Sequence, residues 1–173
     1  MKTAQYLVDK KIVTGEIKPE NIAQHGVDLN VIEIHQVLGG GLIPREGKTK
    51  IGALEKIEHK FDKESGNMYW ILSAGVYDVK FSQGCDIPAD MMMLIRQRSS
   101  LLRNGTILHS SVFDAGFSTK NIGTIMVVNV PILIEFGARI CQIYSHDSDT
   151  VDNLYDGQFQ NDKQRTDEDT NNS

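Results

Sequence analysis

At 173 residues the chain has the length of one domain, enough to bury a core without help from disulfides or metals. Its 40% hydrophobic and 24% charged residues match an ordinary folded protein, and a net charge of −5 argues against a sequence-independent grip on duplex nucleic acid, which needs clustered Lys and Arg. A small anionic ligand remains open, because a few local donors can hold one on an acidic protein.

The opening residues Met1 to Gln5 lack the apolar run of a signal peptide, and nothing later approaches about 18 consecutive apolar residues. A cytoplasmic protein without a membrane or nucleic-acid partner is therefore expected. Residues 3 to 14 carry Ala4, Leu7, Val8 and Ile12 at helical spacing, with Lys10 and Lys11 near the end and Gly15 placed to cap it. One short helix is predicted there. From Val27 onward the pattern turns to short apolar stretches separated by turn residues. Strands are predicted over Val31 to Leu38, Met68 to Leu72, Tyr77 to Phe81, Met91 to Ile95, Ile122 to Val130 and Arg139 to Tyr144. Turns are expected at Ser65-Gly66-Asn67, at Ser73 with Gly75, at Gly84 with Pro88, at Asn104-Gly105 and at Phe136-Gly137. Helical periodicity does not return, so the spacing predicts an all-β barrel or sandwich. Asn161 to Ser173 contain no large apolar residue and are expected to be disordered.

Three familiar constellations fail. Gly39-Gly40-Gly41 with Gly47-Lys48-Thr49 lacks a glycine five positions before Gly47, where Leu42 stands, and reads as a hairpin loop and not a phosphate-binding loop. A zinc deaminase needs His-x-Glu and Pro-Cys-x-x-Cys, and neither occurs; Cys85 and Cys141 are expected as free thiols. Ser99, His109 and Asp114 could form a hydrolase triad on paper, but no Gly-x-Ser-x-Gly elbow is present.

The segment Arg96 to Gly105 concentrates three guanidinium groups and two hydroxyls directly after an apolar strand, which suits an anion, since Arg offers a planar fork matched to phosphate oxygens. Val112-Phe113-Asp114-Ala115-Gly116-Phe117 and Gly137-Ala138-Arg139-Ile140-Cys141-Gln142-Ile143 follow in order. Together with Arg98-Ser99-Ser100-Leu101 they resemble the signatures of the trimeric dUTPases and their relatives the dCTP deaminases. Gly26-Val27-Asp28-Leu29 is similar to the first motif of that superfamily, and the resemblance spans about residues 3 to 160.

The resemblance implies a β-clip fold, a distorted jelly-roll-like barrel with a short N-terminal helix, as a single domain over residues 1–160 followed by the polar tail. It implies a homotrimer whose interfaces build the sites, and magnesium bridged chiefly by substrate phosphates. By the same resemblance Asp114 matches the aspartate that activates the attacking water, and Phe117 the ring beneath the deoxyribose. Arg98, Ser99, Ser100 and Gln142 match contacts to the phosphates, and Asp28 an aspartate that meets the metal through water. The base would be read by main chain over about Thr106 to Phe117.

The branch within the superfamily is read from one position. Deaminating members carry a glutamate on the strand after the third motif, and here it falls on Val128 or Met126, whose apolar side chains cannot shuttle a proton. Arg139-Ile140-Cys141-Gln142 also resembles the dUTPase form. Against these, Arg103 and the segment Tyr155-Asp156-Gly157-Gln158-Phe159-Gln160 resemble the deaminases, with Tyr155, Gln158 and Gln160 expected to contact substrate from a lid. Ser118 to Asn121 lengthen the third-motif hairpin. The sequence is thus expected to encode a dUTP diphosphohydrolase on a deaminase-like scaffold. A dCTP deaminase or bifunctional enzyme, and a non-catalytic nucleotide-binding regulator, are the alternatives.

Overall fold

In the computed structural model, which describes residues 1–162, the opening helix α1 (Ala4–Asp9) stops well before Thr14. Thr3 caps it by accepting from the Tyr6 amide, and Ala4 and Leu7 are buried. The left-handed residue that ends it is Lys11 (φ 56°), not Gly15. The expected helix over residues 3 to 14 is corrected for a physical reason. Val13 and Thr14 are β-branched and pair with Cys85 and Gly84, so strand β1 (Val13–Gly15) takes residues that α-helical spacing would have claimed.

The remaining strands are β2 (Gly26–Gly39), β3 (Ala53–Lys56), β4 (Lys60–Phe61), β5 (Met68–Leu72), β6 (Gly75–Phe81), β7 (Gln83–Asp86) and β8 (Met91–Gln97). After the short helix α2 (Ser99–Arg103) come β9 (Thr106–His109), β10 (Ser118–Thr119), β11 (Gly123–Val128), β12 (Ile132–Glu135) and β13 (Arg139–Asp147). The chain is nearly all-β, as expected. The helix α2 was not, because five residues are too few to show periodicity.

One seven-stranded sheet dominates, in the order β8-β13-β2-β6-β11-β9, with β3 paired to β2. Its two edges come back together. Met93 and Phe113 exchange both backbone hydrogen bonds, the Leu108 amide donates to Gln97 Oε1, and the Ile95 amide donates to Ser110 Oγ. The sheet is therefore a nearly closed barrel, which leaves little unpaired edge. A small sheet, β12-β5-β4, adds Trp70, Leu72 and Ile134 to the core, and Trp70 Nε1 donates to the Ile57 carbonyl.

Strand β2 runs through the centre, and its pattern shows how it bends. Val27, Leu29 and Val31 are buried at period two, but the next fully buried residue is Ile34, and the pairing with β6 slips between Val31 and Glu33. A bulge explains both facts, since one extra residue reverses the faces beyond it. A second bulge lies between Arg139 and Cys141 on β13, so Ile140 and Cys141 are both buried although adjacent.

Gly84 departs from its expected role in a turn. It lies within β7, where a Cβ would sit 2.4 Å from the Thr119 carbonyl oxygen and 2.6 Å from that of Lys120; the glycine permits strand contact there. The 39–52 segment is the β2–β3 hairpin, with Leu42 bridged to Lys50, as its glycines suggested. No helix among the described residues is long and apolar enough to cross a membrane. Of the expected disordered tail, Asn161 and Asp162 belong to a short 3-10 turn from Gln160, and 163–173 lie outside the described residues.

Candidate active site

Asp28 is the only aspartate on β2, in the stretch where β2 pairs with β13, and its side chain is 4% exposed. Burying a lone carboxylate is costly, and two cations offset that cost: Arg98 and Arg139 each place Nη1 3.3 Å from Asp28 Oδ2. Asp28 Oδ1 is buried without a hydrogen-bond partner. The β13 bulge positions Arg139, whose guanidinium also donates to the Glu20 carbonyl. Arg98 sits at the start of α2, its amide donating to the Ile140 carbonyl and its Nη1 to the Arg139 carbonyl at 3.3 Å. Leu101 buries the inner side of α2, so Ser99, Ser100 and Arg103 are left exposed beside Arg98.

Gln142 lies opposite both Asp28 and Arg96 in the sheet. A Cβ on Gly26 would approach Gln142 Cβ at 3.1 Å and Oε1 at 3.2 Å, so the glycine makes room for this amide. Cys141, its neighbour, is fully buried, and burial together with the Asp28 carboxylate pushes its thiol well above the usual cysteine range. Cys85 is buried too, and neither cysteine is in a disulfide, as expected.

Beneath β2 lies a polar network that composition alone does not reveal. Asn21 Nδ2 donates to the Asp28 carbonyl at 2.7 Å and to Asn30 Oδ1 at 2.5 Å; Gln83 Nε2 donates to Asn30 Oδ1 and to the Glu16 carbonyl, while its Oε1 accepts from the Asn30 amide. The bonds to Asp28 and Asn30 help fix the strand that carries Asp28. These three amides, and Arg139, are the site-shaping residues that motif reading did not single out. For Arg139 the signal was present in the fourth motif.

Asp114 belongs to a different place. It is exposed and lines a cavity of about 410 Å³ together with Ser111, Phe113, Phe117, Asn121 and Tyr155. Phe113 and Phe117 pack at 5.5 Å between ring centroids, and Tyr155 meets Phe117 edge-on at 5.4 Å. Gly116 has φ 84°, and a Cβ there would lie 2.6 Å from Leu154 Cβ, so the third-motif glycine serves both the turn and the overlying arm. The extra residues Ser118 and Thr119 form β10 against β7, and Asn121 Nδ2 donates to the Phe81 carbonyl; the longer hairpin is fastened to the sheet.

Among the described residues, none from the Asp28, Arg98 and Gln142 group lines the Asp114 cavity. The structure thus brings the sequence-predicted residues together as two groups. Gln158 and Gln160 bond to protein: Gln158 Oε1 accepts from the Thr49 amide, and Gln160 bonds the Gly116 carbonyl and the Ser118 amide.

The family model described as dCTP deaminase-like matches residues 2–147. The chain belongs to the dUTPase and dCTP deaminase superfamily. A Halobacterium salinarum protein named "Probable deoxyuridine 5'-triphosphate nucleotidohydrolase" is 31% identical over 157 residues, covering 89% of this chain and 93% of its own. A Methanocaldococcus jannaschii protein named "Deoxyuridine 5'-triphosphate nucleotidohydrolase" is 33% identical over 82% of this chain and 88% of its own. The fold is also similar to the crystal structure of a 2'-deoxycytidine 5'-triphosphate deaminase from Agrobacterium tumefaciens, with a TM-score of 0.60 at 16% identity. That match covers 82% of this chain and 45% of the other.

Within this superfamily the strand after the third motif is informative. Met126 and Val128 are 0% and 1% exposed on the core face of β11, while Ile125 and Val127 face outward. Neither position where the deaminase glutamate would align offers an ionisable group. Val128→Glu is accordingly expected to cost about 3–5 kcal/mol of stability, by burying an unpaired carboxylate, and to yield no ammonia from dCTP. Urea denaturation and an ammonia assay check this.

Proposed function

We propose that the protein is a dUTP diphosphohydrolase, converting dUTP and water to dUMP and pyrophosphate. The observation that carries this reading is the exposed Asp114 carboxylate over an aromatic-lined cavity, in a chain whose deaminase glutamate positions are apolar core. Water bonds to the α-phosphorus as the bond to the bridging α–β oxygen breaks; Asp114 takes the water's proton, and pyrophosphate leaves. A carboxylate suits the task because the attacking water needs a positioned acceptor. The relatives' names support the substrate.

Phe117, which lines the cavity, is assigned to underlie the deoxyribose, where its flat ring would crowd a ribose 2'-hydroxyl. Arg98 and Arg139 place two positive charges around one negative, Asp28, a surplus suited to triphosphate oxygens, with Ser99, Ser100, Arg103 and Gln142 as neighbouring donors. The residues also fit magnesium carried by the substrate. Asp28 Oδ1, a buried carboxylate oxygen without a hydrogen-bond partner, suits contact through water. When bound, magnesium would neutralise charge on the phosphates.

A homotrimer is part of this reading. Cavity and cation cluster are separate within one chain, so a complete site needs a second copy to bring Arg98 to Asp114. Val76, Ile107 and Ile125, each between 37% and 40% exposed, offer an apolar outer face on β6, β9 and β11 for such packing.

The deciding experiment incubates the protein with each deoxynucleoside triphosphate and magnesium and measures pyrophosphate and ammonia. Pyrophosphate from dUTP alone is expected. Ammonia from dCTP would instead favour the deaminase or bifunctional reading, to which the fold likeness gives support. Binding of dUTP without turnover would mark a regulatory protein.

A further inference from the structure

The C-terminal arm is held against its own chain at successive points. Ser148 and Val151 donate backbone hydrogen bonds to Asp90 and Ala89, and Tyr155 donates to the Ala115 carbonyl. The arm is also folded on itself. A Cβ on Gly157 would lie 2.4 Å from the Tyr155 hydroxyl, so this glycine lets the ring pass under the turn, and the hydroxyl accepts from the Phe159 amide. The result is a preformed cap whose Tyr155 and Phe159 line the Asp114 cavity.

Two glutamines on this cap bond to main chain. Gln160 uses both ends of its amide: Nε2 donates to the Gly116 carbonyl at 2.9 Å, and Oε1 accepts from the Ser118 amide at 3.0 Å. It imitates one step of a β-ladder against the third-motif hairpin. Gln158 Oε1 accepts from the Thr49 amide at 3.1 Å, on a hairpin more than a hundred residues away in sequence. That hairpin has its own cross-bridge at Leu42 and Lys50, while Leu42 and Ile43 are strongly exposed. The arm thus joins two loops, the third-motif hairpin and the β2–β3 hairpin.

The geometry points to a latch in which Gln158, through the Thr49 amide, uses the β2–β3 hairpin to hold the arm closed over the Asp114 cavity, so that Gln158 acts as a positioning residue. A joint of this kind couples the two segments: loosening either frees the other. The consequence for turnover rests on the diphosphohydrolase reading, but the latch itself does not.

Hydrogen exchange followed by mass spectrometry on the full chain without nucleotide tests it directly. Gln158→Ala should raise exchange about fivefold in residues 148–162 and also in residues 40–52, the size expected from losing the bond to the Thr49 amide. Thr49→Pro, which removes the donor, should free the arm to a similar degree. Gln158→Glu keeps an acceptor and should restore protection. With dUTP, Gln158→Ala should raise KM about fivefold and lower kcat by a smaller factor, because closure adds binding energy but Asp114 is intact. Gln158→Glu should recover the KM. Unchanged buried-Trp70 fluorescence establishes that each variant is folded. Unchanged exchange in residues 40–52 of Gln158→Ala would overturn the latch, as would a Gln158→Glu variant as exposed as the alanine. Loss of protection in a protein that never releases pyrophosphate would leave the latch standing and refute the enzymatic reading.

Discussion

Asp114→Asn is expected to lower kcat for pyrophosphate release from dUTP by about a thousandfold, within the range for losing a general base. The amide matches the carboxylate in shape but cannot take a proton from water. Asp114 is exposed at the cavity and makes no ion pair among the described residues, so the substitution should disturb neither fold nor nucleotide affinity. Calorimetric titration with dUTP and magnesium should give near wild-type binding beside the lost turnover. Turnover close to wild type would remove Asp114 from its assigned role.

The parts of this molecule that were legible in the sequence are those with local causes. Strand β5 is found over the residues its pattern predicted, and β6, β8 and β13 overlap theirs, because alternation and β-branched residues act over a few positions. Asp114, Phe117 and Tyr155, each picked out within a local motif, line one cavity.

What was not legible depends on partners far along the chain. Val13 falls within the expected helix until Cys85 offers it a strand to pair with. Gly84 resembles a turn residue until the Thr119 carbonyl is seen to need its space. Asn21, Asn30 and Gln83 are unremarkable polar residues whose network exists only once β2 and β7 are placed. The link from Gln158 to Thr49 belongs to the same class. Even Asp28, visible in its motif, gained its meaning from Arg139, which an added residue in β13 brings to it.

The cation cluster leads to the second large effect. Arg98→Ala should lower kcat/KM for dUTP by about a hundredfold, because it removes a charged donor from the proposed triphosphate site. It should also destabilise the fold, since Asp28 stays buried with Arg139 as its remaining cation. Arg98 is 36% exposed and solvent screens the pair, so the loss should be about 1–2 kcal/mol, below the cost of breaking a fully buried pair. Urea denaturation separates this from the kinetic effect. Mixing decides whether the two halves of the site meet across subunits. If Asp114 of one copy works with Arg98 of another, Arg98→Ala and Asp114→Asn chains allowed to exchange should recover roughly a quarter of wild-type activity, the share of random pairings with both intact halves. If both halves act within one chain, every mixed assembly stays inactive, and the shared-site reading fails.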